Sequence, residues 1–223
     1  VRAHVAAYHA IHDVTRSRGC PAQVSFAKHA QPFVPCNPLW IGDRWIAALT
    51  ETIYNQRFWD AVMEGWLRVP GKPPIHIPDA NQTLDFIGAN YYGRNFMRLT
   101  WGGTRGWWGM RCSSRHHREV RARNFLDWDV YPPGLYQVIR WAQVYKRPIL
   151  ITENGICTTD DSQRERFIVN HLAQVARAMR EGVSIIGYLH WSLIDNFEWA
   201  HGYAPRFGLI EIDYRTQRRT IRP

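Results

Sequence analysis

The sequence predicts an α/β fold in which parallel strands are joined by helical crossovers. The run Pro148-Ile149-Leu150-Ile151-Thr152-Glu153-Asn154-Gly155 is apolar throughout its first half and ends in a carboxylate, an amide and a glycine. That is the pattern of a short strand buried on both faces, as in parallel sheets. Comparable runs at 84–92 and 184–193 are separated from it by amphipathic helical patterns, and this alternation of strand and helix argues for crossovers. With 223 residues and 45% hydrophobic content, the chain can bury one sizeable core. Glu153 stands at the carboxyl tip of the central strand, where barrel enzymes place their chemistry, and Gly155 is read as permitting the sharp turn that follows.

The elements follow in order. Val1, Val5, Tyr8 and Ile11 recur at helical spacing, and Gly19-Cys20-Pro21 stops the helix. Residues 23–29 alternate as a strand and lead into a proline-punctuated loop reaching Pro38. Asp43 is read as the N-cap of a long helix running to about Glu64, with Ile46, Leu49, Ile53 and Val62 on one side and its aromatic residues used for packing. Prolines make 69–78 a loop. After the strand at 84–92, the segment 93–129 is read as one long irregular connection carrying Trp101, Trp107, Trp108 and a basic block. Pro132 and Pro133 open a helix that includes Leu135, Val138, Ile139, Trp141 and Ala142. Asp160 or Asp161 caps the next helix, whose stripe is Ile168, Leu172, Val175 and Met179 and which ends at Gly182. The strand at 184–193 then carries Trp191 near its carboxyl end.

Composition narrows the function. The net charge of +9 is spread along the chain apart from residues 111–123 and 215–222, and no nucleic-acid motif accompanies it, so a solvated basic surface is expected. Four cysteines lie far apart with no CxxC pair. They read as reduced thiols of a cytoplasmic protein, with no metal site and no cofactor. No apolar run reaches ~18 residues, so no membrane span is expected. The chain starts at Val1 and shows no signal peptide. Eleven tryptophans are many, and indole faces suit the apolar faces of ligands.

The residues then carry a resemblance. Ile151-Thr152-Glu153-Asn154-Gly155, Trp191-Ser192-Leu193-Ile194-Asp195-Asn196-Phe197-Glu198-Trp199, Asp85-Phe86-Ile87-Gly88-Ala89-Asn90-Tyr91-Tyr92 and Arg206-Phe207-Gly208-Leu209 resemble motifs of the family 1 glycoside hydrolases, the β-glucosidases and β-galactosidases. Departures within them are small, such as Ile194 where leucine is usual. The resemblance implies a (β/α)8 barrel and retaining hydrolysis of β-linked glycosides. In that scheme Glu153 matches the nucleophile, and Asn90 and Tyr92 match positions around it, with Tyr92 orienting the carboxylate. Trp191, Glu198, Trp199 and Phe207 match residues that bind the sugar. The segment 93–129, following the sixth strand, would stand at the catalytic rim, with Trp101, Trp107 or Trp108 near the leaving group or else packed within their own loop. Asp195, Asn196 and Arg206 belong to the motifs as loop-holding residues, and Tyr91 is left to packing.

One departure outweighs the matches. The family's acid/base glutamate lies in an Asn-Glu-Pro motif at the end of the fourth strand, and this sequence contains none; the first-strand glutamine and third-strand histidine are also missing. Residues 1–223 are therefore expected to be strands five to eight of a barrel, truncated at both ends. The expected partners are a β-glycoside and either the missing amino-terminal half or a second copy. A non-catalytic sugar-binding half-barrel and a basic scaffold protein are the alternatives. The intact nucleophile beside Asn90 and Tyr92 weighs against the sugar-binding alternative.

Overall fold

The computed structural model describes residues 1–102 and 107–223, leaving out the side chain of Trp107. Its strands are β1 (Ala27–His29), β2 (Phe33–Pro35), β3 (Trp66–Leu67), β4 (Ile75–His76), β5 (Ile87–Tyr91), β6 (Asn95–Trp101), β7 (Trp107–Cys112), β8 (Ile149–Asn154), β9 (Ile185–His190), β10 (Ile210–Asp213) and β11 (Arg218–Ile221). The main helices are α1 (Arg2–Ser17), α2 (Ile41–Glu51), α3 (Arg57–Glu64), α4 (Pro132–Gln143) and α5 (Asp161–Arg180).

Four strands form the sheet that matters, in the order β1-β5-β8-β9, every neighbouring pair parallel. Their carboxyl ends therefore all point to one side. Among the described residues the sheet is open, with β1 and β9 as edges and no closed barrel. Ile87, Ala89, Tyr91, Ile149 and Ile151 from the central strands pack with Leu135, Val138, Ile139 and Ala142 of α4 and with Val175 and Ala178 of α5. On the edge strand β9, Ile186 and Leu189 are each 53% exposed. Asp85 ties α1 to this layer, accepting from Tyr8 at 2.7 Å and from the Val24 amide at 2.7 Å, with His12 Nε2 at 2.8 Å.

Several expected elements change on folding. The strand at 23–29 pairs only over β1, while the proline-rich loop after it contains β2. Asp43 does not cap α2, because Trp40 holds that position. Asp43 is buried in the first turn and accepts from the amides of Asn37 and Leu99, each at 2.8 Å, joining the helix to β6. The helical run to Glu64 is interrupted by a π-helical segment, Thr52–Gln56. There buried Asn55 exchanges hydrogen bonds with the backbone of Gln31, which an unbroken helix would not aim the same way. The loop at 69–78 includes β4, paired with β3. The segment 93–129 is not one irregular connection: β6 and β7 form an antiparallel hairpin that pairs with β2. Only the pairing of β6 with β2 joins residues far apart in sequence.

The reading of four reduced thiols is also corrected. Cys36, just after β2, and Cys112, at the end of β7, are joined as a disulfide across a sequence separation of 76 residues. Both strands border β6, and this shared neighbour brings the cysteines together. Cys20 and Cys157 are free. No described helix is long and apolar enough to cross a membrane.

Asp160 caps α5, accepting from the Gln163 amide at 3.2 Å. The buried face is shifted from the expected stripe, with Phe167, His171, Val175 and Ala178 inside and Leu172 and Met179 exposed. His171 stacks on Phe167, its Nδ1 lies 2.7 Å from the Phe167 carbonyl, and its Nε2 has no partner. Burial pushes its pKa down to about 4, as it does for His29 and His190. In the unfolded chain histidine takes its proton near 6.5. Stability from these neutral imidazoles is complete above that value and is lost as pH falls towards 4. The melting temperature should drop across that window, and His171→Phe should flatten the drop. An unchanged pH profile in the variant would remove His171 from the acid response.

Candidate active site

The site is assembled where the carboxyl ends of β5, β8 and β9 meet. In the β5–β8 ladder Asn90 stands opposite Glu153. Because side chains alternate along a strand, Asn90 and Tyr92 share one face while Tyr91 takes the other. Tyr91 is fully buried and donates to the Tyr131 carbonyl at 2.5 Å, a packing position. Tyr92 donates its hydroxyl to Glu153 Oε2 at 2.6 Å. Burial raises the Tyr92 pKa, and the hydrogen bond and charge of Glu153 raise it further, so the phenol stays a donor. The Asn90 amide oxygen is occupied by the Thr152 hydroxyl at 2.5 Å.

The tip of β9 is set against β8 at close range. The Trp191 amide donates to the Asn154 carbonyl at 3.0 Å, and a Cβ built on Gly155 would lie 1.6 Å from the Trp191 carbonyl oxygen. Gly155 is thus required by this approach. Its φ is not positive, so the need for glycine here comes from the close approach and not from a left-handed turn.

The loop beyond Trp191 is fixed by Asp195, which is 1% exposed and accepts from the Gly208 amide at 2.9 Å and Arg206 Nη1 at 3.1 Å. Asn196 Nδ2 donates to Ser192 Oγ at 2.9 Å. This frame carries Glu198, whose amide donates to the Gly202 carbonyl at 2.7 Å. Burial raises the Glu198 pKa, and the charge of Glu153 adds to the rise while His201 opposes it. The two carboxylates therefore share one electrostatic field. Phe207 is 1% exposed and meets Tyr92 edge-on at 6.2 Å. Trp199 stands apart from this cluster in one respect: it is 80% exposed.

Two further residues complete the wall, and the sequence motifs did not single them out. Trp128 meets Tyr92 at 5.8 Å and Phe207 at 6.5 Å. His29, at the end of β1, meets Tyr92 at 5.9 Å, and its Nδ1 lies 3.0 Å from the Tyr54 hydroxyl. Together with Gln31, Tyr54, Arg94 and Arg111 they line a cavity of about 440 Å³ beside Tyr92. Trp101 and Trp108, expected near a leaving group, do not line it. The same expectation for Trp107 falls outside the described side chains. Among the described residues, the group spaced to hold a metal is Cys36, Cys112 and His117, which belongs to the smaller sheet.

Acids backed by a tyrosine and walled by aromatic rings, at the carboxyl ends of parallel strands, form a site of the barrel-hydrolase class. Comparison with known proteins makes this specific: the chain belongs to glycosyl hydrolase family 1, whose model matches residues 1–223. It is 34% identical over 228 residues to the β-galactosidase of Sulfolobus acidocaldarius, covering 100% of this chain and 44% of that protein. With the β-galactosidase of Saccharolobus solfataricus it is 35% identical, covering 100% of this chain and 45% of the relative. Among solved structures, the β-glycosidase from Pyrococcus horikoshii superposes with a TM-score of 0.86 at 35% identity, over 99% of this chain and 49% of that one. The psychrophilic β-glucosidase from Micrococcus antarcticus gives 0.80 at 31%, over 98% and 54%. The chain thus spans about half the length of its relatives. They are (β/α)8 barrels, and the open sheet is a part of that fold.

Proposed function

We propose that this chain supplies strands five to eight of a retaining β-glycosidase, with β1, β5, β8 and β9 as those strands and Glu153 as the nucleophile. The observation that carries the reading is the 2.6 Å hydrogen bond from Tyr92 to Glu153 at the tip of β8. A donor on one oxygen favours the ionised carboxylate and fixes its orientation, as attack on an anomeric carbon requires. The attack forms a glycosyl ester on Glu153, and a general acid ~5 Å away on the other face of the sugar protonates the departing oxygen. The chain's partner would be the amino-terminal half of the barrel, which in this family holds that acid.

Glu198, Trp191, Trp199 and Phe207 would hold the sugar: Glu198 as an acceptor for hydroxyls, the tryptophans as platform and donor, Phe207 as a wall. Asn90 has its oxygen engaged by Thr152, which leaves its amide nitrogen for a hydroxyl of the sugar. The cavity lined by Trp128, His29 and Tyr92 itself would take the leaving group. A lectin would have no use for an oriented carboxylate, which favours the catalytic reading.

A 2-deoxy-2-fluoro-β-glucoside with an activated leaving group tests this directly, because its departure needs little protonation and the ester accumulates. The modified peptide is expected to contain Glu153. Modification of Glu198 in its place would overturn the assignment of the two carboxylates.

A further inference from the structure

Outside the candidate active site, the structure gathers Cys36, Cys112 and His117 so that their ligand atoms all lie within 4.8 Å of one another. His117 Nε2 is 3.3 Å from Cys112 Sγ and 3.7 Å from Cys36 Sγ. The imidazole is 8% exposed and stacks on Phe96 at 3.6 Å between ring centres. A disulfide has no need of an imidazole facing both of its sulfurs. We propose that these three residues form a redox-gated site for a thiophilic d10 cation, with Zn²⁺ the fitting ion, closed while Cys36 and Cys112 are bridged and open once they are reduced.

The donor set and the spacing support this. Zinc prefers thiolate and imidazole, with Zn–S about 2.3 Å and Zn–N about 2.0–2.1 Å, so tetrahedral geometry places sulfur and nitrogen donors about 3.5 Å apart. The two observed sulfur–nitrogen distances fall on either side of that value. Metal-binding histidines commonly offer their other ring nitrogen to a carboxylate, which fixes the ring. Here Glu119 Oε1 lies 3.5 Å from His117 Nδ1. Arg98 Nη2, 3.6 Å from Cys36 Sγ, would favour the thiolate after reduction. Three protein donors leave a fourth position for water, and Cys112 lines a cleft of about 350 Å³ through which an ion and water can enter.

The chemistry balances with a dithiol as reductant. The Cys36–Cys112 bond takes two electrons and two protons and becomes two thiols, while the dithiol becomes its own disulfide. Zn²⁺ then displaces both protons to solvent.

The test uses the 223-residue chain with Cys20 and Cys157 changed to serine, fully reduced by a non-thiol phosphine and kept free of oxygen. Zn²⁺ is titrated against a chromogenic chelator, and Co²⁺ serves as a spectroscopic substitute. One Zn²⁺ per chain is expected. Thiolate-to-cobalt charge transfer and the intense d–d bands of a tetrahedral site should accompany Co²⁺ binding. Oxidised chain should bind neither ion. Glu119→Gln, an exposed position, should weaken binding by ~10–100-fold and leave the circular dichroism spectrum unchanged. His117→Ala and the double variant Cys36→Ser/Cys112→Ser should abolish the cobalt spectrum. Absence of that spectrum in folded, reduced chain would overturn the proposal. Equal binding by oxidised chain, by the double variant or by His117→Ala would also do so.

Discussion

Glu153→Gln is expected to reduce turnover of a β-glucoside on the order of 10⁴-fold or more, measured where the general acid is also supplied. The amide is nearly isosteric and can still accept the Tyr92 hydrogen bond, so the thermal transition should stay close to that of the unmutated protein. What disappears is the negative oxygen that, on the proposed mechanism, would bond to the anomeric carbon. Tyr92→Phe keeps that oxygen and removes only its donor, so the loss should be smaller, about 10²-fold. A stronger reading comes from Glu153→Gly with added azide. An external anion occupying the vacated space attacks the same face of the sugar, and with no second displacement the product should be the α-glycosyl azide. A β-configured azide, or turnover unaffected by Glu153→Gln, would mean that another group is the nucleophile.

The sheet and the tips of its strands were legible in the sequence because both rest on short-range signals. An apolar run ending in Glu-Asn-Gly can be read without knowing what it pairs with, and so can Pro132 opening α4 or the capping of α5 by Asp160. The β6–β7 hairpin was missed although its two strands are neighbours in sequence; β6 is held on its other side by β2, whose three residues sit far away in a proline-rich stretch. The same distance hid the Cys36–Cys112 bridge and the approach of His117 to it. At the candidate site, Tyr92 was placed beside Glu153 by the resemblance of their motifs to the family, and the alternation of side chains turned Tyr91 away. Trp128 and His29 reach Tyr92 only through tertiary packing, and no motif marks them. Asp43 is the instructive error. An acid before an amphipathic run resembles a cap, yet burial gave it the amides of Asn37 and Leu99 to satisfy instead.

A polypeptide of these 223 residues, assayed alone, is expected to hydrolyse cellobiose at least ~10²–10⁴-fold less efficiently than the same chain joined by a half-barrel that supplies the acid. A glucose leaving group must be protonated as it departs, and no Asn-Glu-Pro segment is present to do it. Binding contributes too, because contacts from the other half would help to distort the sugar towards the transition state. An aryl glucoside departs with little protonation and should still glycosylate Glu153, slowly. The open sheet adds a physical consequence. Its edges β1 and β9 present unpaired backbone, and Ile186 and Leu189 on β9 are half exposed. Such edges pair with further copies or aggregate, so light scattering should report a dimer or larger species. Adding the amino-terminal half of a relative should restore cellobiose turnover and shift the mass to a one-to-one complex. Efficient cellobiose hydrolysis by a monomer of the chain alone, abolished by Glu153→Gln, would place the acid within this sequence. Glu198 would then be the first residue to test, because burial and the charge of Glu153 already favour its protonated form.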